Sequence, residues 1–199
     1  MKEKTITSDK KLNITVLLGL VMSAVLVGID QLTKWLVVSN MELHESIHLI
    51  KFGETQVLNF SYYLNDGSAF SMFGGQTEML ICVTSLMMGA MLCAMVMKQV
   101  RRTPYIIAFS VIIGGGIGNL IDRLFNEGLV VDFIDVRIIN FAIFNFADIC
   151  AVCGGIFLCL LVVLDEVRDA REKKARKSAD EAETEISEND KEAIEDGND

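Results

Sequence analysis

The chain has 199 residues, 51% of them hydrophobic, with a formal net charge of -9 and a mean hydropathy of +0.40. A soluble domain of this length is less apolar, and the lack of a basic stripe interleaved with aromatics argues against nucleic-acid binding. Charge is placed unevenly: long central stretches carry almost none, and acid crowds the residues from Asp180 onward.

A helix that crosses a bilayer needs about 20 mostly apolar residues. Four segments meet this requirement, at about 14–38, 78–97, 105–124 and 147–164, so the expected fold is a mainly α membrane protein of four transmembrane helices. The first span follows Lys2, Lys4, Lys10 and Lys11, as in a signal peptide. Its apolar region is too long for one and no small-residue cleavage site follows, so it reads as a retained helix. Asp30 and Lys34 lie four apart in its outer part, acid before base, a favourable helical pair. Their reading is a structural or substrate-orienting ion pair, with Lys34 snorkelling outward.

Beyond that span, Ile47 to Phe52 and Gln56 to Tyr63 are rich in β-branched and aromatic residues, with Gly53-Glu54 between them. This pattern predicts a small hairpin. Asn65-Asp66-Gly67 marks a turn, after which Phe70 and Phe73 bring the chain back to the membrane interface. An exposed sheet edge here can take an extended peptide by strand addition; a loop without a ligand is the alternative. His44 and His48 are an i,i+4 pair and read as loop residues rather than metal ligands.

The one proline, Pro104, suits the start of the third span, with Thr103 as its expected N-cap. Gly114-x-x-x-Gly118 puts two small residues on one helix face and allows close helix approach. Asn119, Asp122 and Arg123 end this span on a shared face. They hold the connection or a lipid head group, or simply close the helix with a cation near its C-terminus.

Between the third and fourth spans, Asp132 interrupts an apolar run, Leu129-Val130-Val131 and Phe133-Ile134, long enough to dip into the interface. Asp148 opens the fourth span, where an aspartate can cap backbone N–H groups and is favoured by the helix dipole. A carboxylate beside a membrane core is costly and marks a functional candidate. Two such groups sharing one proton can act together as acid and base. Asp135 and Asp122 are rivals, and spacing alone does not choose among them. The five cysteines, Cys82, Cys93, Cys150, Cys153 and Cys159, all lie in apolar runs. Cys150-x-x-Cys153 lacks a second pair or a nearby His, and all five read as small hydrophobes.

Lysine and arginine set orientation. They concentrate at the N-terminus, at Lys98, Arg101 and Arg102 between spans two and three, and from Arg168 to Lys177. Both termini and the middle connection are therefore expected in the cytoplasm. The segments from about Ser39 to Thr77 and from Phe125 to Phe146 face outside, and Asp132 and Asp148 fall on that side. Residues 1–166 form the expected membrane domain. Residues 167–199, charged and poor in aromatics, are expected to be a disordered cytoplasmic tail.

Five patches occur in order: Asp30-Gln31-Leu32-Thr33-Lys34, Asn65-Asp66-Gly67-Ser68-Ala69-Phe70-Ser71, Gly115-Gly116-Ile117-Gly118-Asn119-Leu120-Ile121-Asp122-Arg123, Val130-Val131-Asp132-Phe133 and Phe144-Asn145-Phe146-Ala147-Asp148. Together they resemble the bacterial lipoprotein signal peptidases (signal peptidase II), intramembrane aspartic endopeptidases. The resemblance covers Asp30 to Asp148 and leaves out the acidic tail. It implies that Asp132 and Asp148 are the catalytic aspartates. Asn65, Asn119, Arg123 and Asn145 match polar residues that line and hold the site. Asp30, accompanied by Lys34, matches a polar residue near it; Asp122, Gly67 and Gly118 match structural positions, and Asp135 is outside the family dyad. The implied reaction is hydrolysis of the peptide bond just before a diacylglyceryl-modified cysteine, with apolar walls from spans two and three taking the acyl chains. No metal or other cofactor is implied. The implied partners are lipid-modified prolipoproteins and membrane lipids, and the chain is expected to act as a monomer in the bacterial cytoplasmic (inner) membrane. Two other classes stay open on residue chemistry alone: a small transporter or proton-relay subunit, for which acids line a path near the midplane, and a non-catalytic lipid-binding scaffold.

Overall fold

The structure, a computed structural model, describes the backbone of residues 2–53, 55–67, 77–139 and 141–195, and the side chains of 9–53, 55–67, 77–139 and 141–175. Glu54, the expected interface residues Phe70 and Phe73, and the Ser68-Ala69-Phe70-Ser71 part of the second patch lie outside the described residues. Four α-helices and three strands follow in the order α1 (Lys2–Asn40), β1 (Ser46–Phe52), β2 (Thr55–Asn65), α2 (Thr77–Val96), α3 (Thr103–Phe125), β3 (Val130–Val136) and α4 (Phe146–Glu195). A short 3-10 turn, Arg137–Ile139, follows β3.

Four helical stretches are long and apolar enough to cross a membrane: Asp9–Asn40, Thr77–Val96, Thr103–Phe125 and Phe146–Ala175. Each contains or nearly matches an expected span. Large apolar side chains stay exposed along them, such as Leu17, Trp35 and Leu86, as expected of helices apolar all round that meet lipid rather than water. The core forms where α1, α2 and α3 meet, around Leu12, Val16, Met88, Met95, Ile106 and Ile113. Close approach of α1 and α3 relies on small residues. A Cβ on Gly114 would lie 2.8 Å from the Leu26 Cβ, and the Ser23 Oγ donates across the interface to the Ser110 carbonyl at 2.9 Å.

β1 and β2 form the expected hairpin. β3 was not expected as a strand. It pairs antiparallel with β2, giving a three-stranded sheet in the order β1-β2-β3, with Tyr63 opposite Asp132 and Asn65 opposite Val130. The run that reads as an interfacial dip is β-branched, a composition that suits a pleated, half-buried surface. Glu127 and Gly128, both at positive φ, turn the chain out of α3 into it. One sheet face packs Val131 and Phe133 against Val37 near the end of α1, and Ile134 bridges to Phe144.

Two local expectations need correction. The N-cap of α3 is Arg102, not Thr103, because the Arg102 carbonyl already accepts the N–H groups of Tyr105 and Ile106. His48 lies on β1, with its Nδ1 3.1 Å from the Asn59 Oδ1, rather than in a loop. Beyond Leu164 the chain continues as helix to Glu195. That stretch is rich in Ala, Glu, Lys and Arg, which are strong helix formers, and the Arg168 Nε meets the Glu172 Oε1 at 2.9 Å one turn on. The chain divides into two compact units, 1–158 and 159–199; the described residues of the second continue α4 to Glu195.

Candidate active site

Asp132 sits on β3, in the middle of the sheet-forming run, and is 3% exposed. Its two oxygens are each met by an asparagine. At the end of β2 the Asn65 Oδ1 accepts the Gly67 N–H at 2.9 Å, the side-chain-to-backbone turn that Asn favours. This fixes the amide and leaves its Nδ2 to donate to the Asp132 Oδ2 at 2.8 Å. The Asn145 Nδ2 donates to the Asp132 Oδ1 at 2.7 Å.

Asn145 also begins α4. Its Oδ1 accepts the Asp148 N–H at 3.0 Å, and the Asp148 Oδ2 accepts the Asn145 N–H at 3.0 Å. This is a reciprocal capping box, which satisfies two orphan donors of a helix start at once. Asp148, a candidate cap on sequence, is therefore the returning partner of the cap rather than the cap itself. Its other oxygen, Oδ1, accepts from the Asn119 Nδ2 at 2.8 Å. The Asn145 Nδ2 lies 3.0 Å from the Asn119 Oδ1. Asp132 and Asp148 are thus joined through Asn145 and Asn119 in one hydrogen-bond network drawn from β3, α3 and α4.

The network is anchored on α1. The Lys34 Nζ lies 2.9 Å from the Asp30 Oδ2, 3.0 Å from the Asp122 Oδ2 and 2.8 Å from the Asn119 Oδ1. Asp30 and Lys34 are both buried, so the expected surface pair with a snorkelling lysine is instead an interior one. Each carboxylate is also met by backbone: the Asp30 Oδ1 accepts the Ala147 N–H at 3.0 Å and the Asp122 Oδ2 accepts the Val131 N–H at 3.0 Å. Such partners are what lets buried charge persist. Gln31, which sequence reasoning passed over, donates to the Asp122 Oδ1 at 2.9 Å and to the Gly118 carbonyl at 3.2 Å. Gly118 is small of necessity: a Cβ there would lie 2.5 Å from the Asp30 Oδ2 and 3.2 Å from the Ala147 Cβ.

The rival carboxylates part company here. Asp122 is held by Lys34, Gln31 and Val131 as a tie between α1, α3 and β3. Asp135 accepts from the Ser61 Oγ at 2.9 Å and from Arg137 at 2.6 Å, in a separate cluster on the sheet. Arg123 reaches out of α3 to donate its Nη2 to the Gly67 carbonyl at 2.9 Å, which pins the Asn65 turn. Its buried Nε has no partner among the described residues.

Burial above all, and the Asp148 charge second, push the Asp132 carboxyl up from 3.8 to about 7; hydrogen bonds from Asn65 and Asn145 and the charge of Lys34 pull the other way. The action of the Asp148 charge on Asp132 is that expected between carboxylates in one site. They open on a cavity of about 360 Å³, with Asn65, Asn119 and Arg123 on its polar side and Phe141, Ile143, Phe144, Ile149 and Val152 on its apolar side. The apolar wall comes from the 141–144 segment and α4, not from the second and third spans, because the Ile134–Phe144 bridge draws that segment alongside the site. Among the described residues no group of three or more His, Cys, Asp or Glu is arranged to hold a metal ion.

Residues 22–164, well over half of the chain, match the family model described as signal peptidase (SPase) II. The chain belongs to the signal peptidase II family. It is 37% identical over 156 residues to the lipoprotein signal peptidase of Halalkalibacterium halodurans, covering 77% of this chain and 96% of that one. It is 38% identical over 149 residues to that of Trichormus variabilis, covering 73% and 88%. Its fold resembles a bacterial membrane enzyme solved by the in meso method at 2.3 Å resolution, with a TM-score of 0.67 and 27% identity over 74% of this chain and 88% of the other. Signal peptidase II membership makes this chain a membrane protease, and the four apolar helices with a small antiparallel sheet agree with that structure. The part of α4 beyond residue 164 lies outside the signal peptidase II match.

Proposed function

We propose that this protein is an intramembrane aspartic endopeptidase that removes signal peptides from diacylglyceryl-modified prolipoproteins, cutting just before the lipidated cysteine. The observation that carries this reading is the single network joining the Asp132 and Asp148 carboxylates at the mouth of a partly apolar cavity. Family membership and the activity for which the relatives are named supply the substrate class.

With one proton shared between the two groups, the ionised carboxylate takes a proton from water as its oxygen attacks the scissile carbonyl carbon. The protonated carboxyl donates to the carbonyl oxygen. Collapse of the tetrahedral intermediate then breaks the C–N bond, and the proton gained by the base passes to the leaving amine. Asn65, Asn119 and Asn145 orient the carboxylates, and Arg123 holds the Asn65 turn through Gly67. The apolar side of the cavity accepts hydrocarbon from the substrate. The basic clusters support a topology with both termini and the α2–α3 connection in the cytoplasm and the site near the opposite face of the bacterial cytoplasmic membrane. A substrate anchored by its signal helix and its acyl chains presents its bond at that depth. The chain acts as a monomer, since the network is complete within one copy.

The test is processing of a lipidated precursor by Asp132→Asn and Asp148→Asn variants inserted in membranes. Each is expected to lose at least about 100-fold in rate, the usual contribution of a general acid or base. Wild-type cleavage by either inserted variant refutes the dyad. Equal cleavage of an unlipidated precursor refutes lipid-dependent docking.

A further inference from the structure

Lys34 does not touch the cavity, yet its ammonium is spent on the network that does. Three acceptors surround its Nζ: Asp30 Oδ2, Asp122 Oδ2 and Asn119 Oδ1, at 2.9, 3.0 and 2.8 Å. An ammonium has three donors and no acceptor, so every proton has a place and the third points at the Asn119 amide oxygen. That oxygen also receives the Asn145 Nδ2 at 3.0 Å. A flipped Asn119 would set its NH2 against two donors and its oxygen against the Asp148 carboxylate. Lys34 therefore dictates which end of the amide faces Asp148, and the end it selects is the donor, at 2.8 Å.

The two carboxylates are not equivalent in this frame. Asp148 stands in the first turn of α4, where the helix dipole and the Asn145 backbone N–H favour negative charge, and its second oxygen meets the amide that Lys34 orients. Asp132 lies on a strand with no helix terminus of its own and is met by two neutral side-chain amides. Around the pair, α1 contributes Lys34 and Asp30, α3 contributes Asp122 and Arg123, β3 contributes Asp132, and α4 contributes Asp148. Asp30 and Asp122, both tied to Lys34, reach the backbone N–H groups of Ala147 and Val131 beside the dyad, whereas Asn119 carries the contact from Lys34 to a dyad carboxylate through a single side chain.

We infer that Lys34 is a positioning residue that acts through Asn119 to keep Asp148 as the ionised base, so that Asp132 carries the shared proton and serves as the acid. The inference rests on the aspartic mechanism proposed above and assigns its two roles. Lys34→Met removes one of the two donors that orient the Asn119 amide, leaving the Asn145 Nδ2 alone to hold it. The charge-assisted hydrogen bond to the carboxylate form of Asp148 is then weakened.

The experiment follows kcat and KM for a lipidated precursor against pH, in wild type, Lys34→Met and Asn119→Ala. The second variant leaves Lys34 paired with both aspartates and keeps the question answerable if Lys34→Met does not fold. In either variant the acid limb of the kcat profile is expected to move up by at least about one pH unit. At pH 6 kcat falls about tenfold or more, KM changes little, and raising the pH restores much of the loss. The double variant is expected to be no worse than the poorer single one, as for two residues acting in series. A folded variant with lowered kcat at every pH and an unmoved acid limb overturns the inference, as does a rise in KM alone. Activity surviving in Asp148→Asn, measured alongside, would instead overturn the aspartic mechanism itself, so the two failures are distinguishable.

Discussion

Asn145 performs two tasks with opposite ends of one amide, and they can be separated. Its Oδ1 caps α4 through the Asp148 N–H, while its Nδ2 donates to Asp132 at 2.7 Å; the residue is fully buried. Asn145→Ala removes both. Loss of an N-cap acceptor costs about 1 kcal/mol. Loss of a donor to a charged group costs about 1.5–3 kcal/mol, giving a destabilisation of about 2.5–4 kcal/mol when the carboxylate is ionised. Asn145→Ser keeps an oxygen able to cap, since Ser and Asn are near equals at that position, but has no NH2 to reach Asp132. The serine variant is expected to be about 1 kcal/mol more stable than the alanine variant. Both are expected to lose about 10- to 100-fold in kcat, because each 1.4 kcal/mol of misplaced acid or base is a factor of ten. Unfolding in bicelles measures the first quantity, and cleavage of a fluorogenic lipopeptide the second. Wild-type kcat in Asn145→Ser refutes the claim that the Asp132 contact matters to catalysis. Equal stability of the two variants refutes the capping role.

Because the Asp132 carboxyl is raised to about 7 in the folded protein, the folded state holds a proton that the unfolded chain has released between about pH 4 and pH 7. Stability from this group is therefore present at low pH and lost as pH rises through that window. Asp132→Asn is expected to flatten that part of the stability curve, and a wild-type slope retained in the variant contradicts the assignment. Gly118→Ala drives a Cβ into Asp30 and Ala147, and a cost of about 1–3 kcal/mol is expected from overpacking. Gly155→Ala, on the same helix as Ala147 but open around its Cβ position, is the control and is expected to change unfolding little.

Much of the site was legible because its residues break local rules. Asp132 and Asp148 stand out as acids beside apolar runs, and Asp30 with Lys34 as a helical ion pair. Asn65-Asp66-Gly67 is a turn by composition, and the five ordered patches selected Asp132 over Asp135 and Asp122. β3 was missed because its apolar residues were weighed as membrane surface. The β-branched run after Glu127-Gly128 was the signal that could have found it. Gln31 was missed because a lone polar residue between Asp30 and Lys34 has no spacing that announces a partner 91 positions away.

Sequence alone determined the four spans, the hairpin and the identity of the polar residues, since hydropathy, turn chemistry and charge placement act over a few residues at a time. Only the tertiary structure decided how those residues are joined. Lys34 meets Asn119 across 85 positions and Asn65 meets Asp132 across 67. Those contacts depend on the β2–β3 register, on the depth to which Gly118 lets α1 and α4 approach α3, and on which end of each amide faces the carboxylates. Each is a matter of packing between distant segments, where a one-residue shift in register or one added Cβ would leave the hydropathy pattern intact and separate the pair.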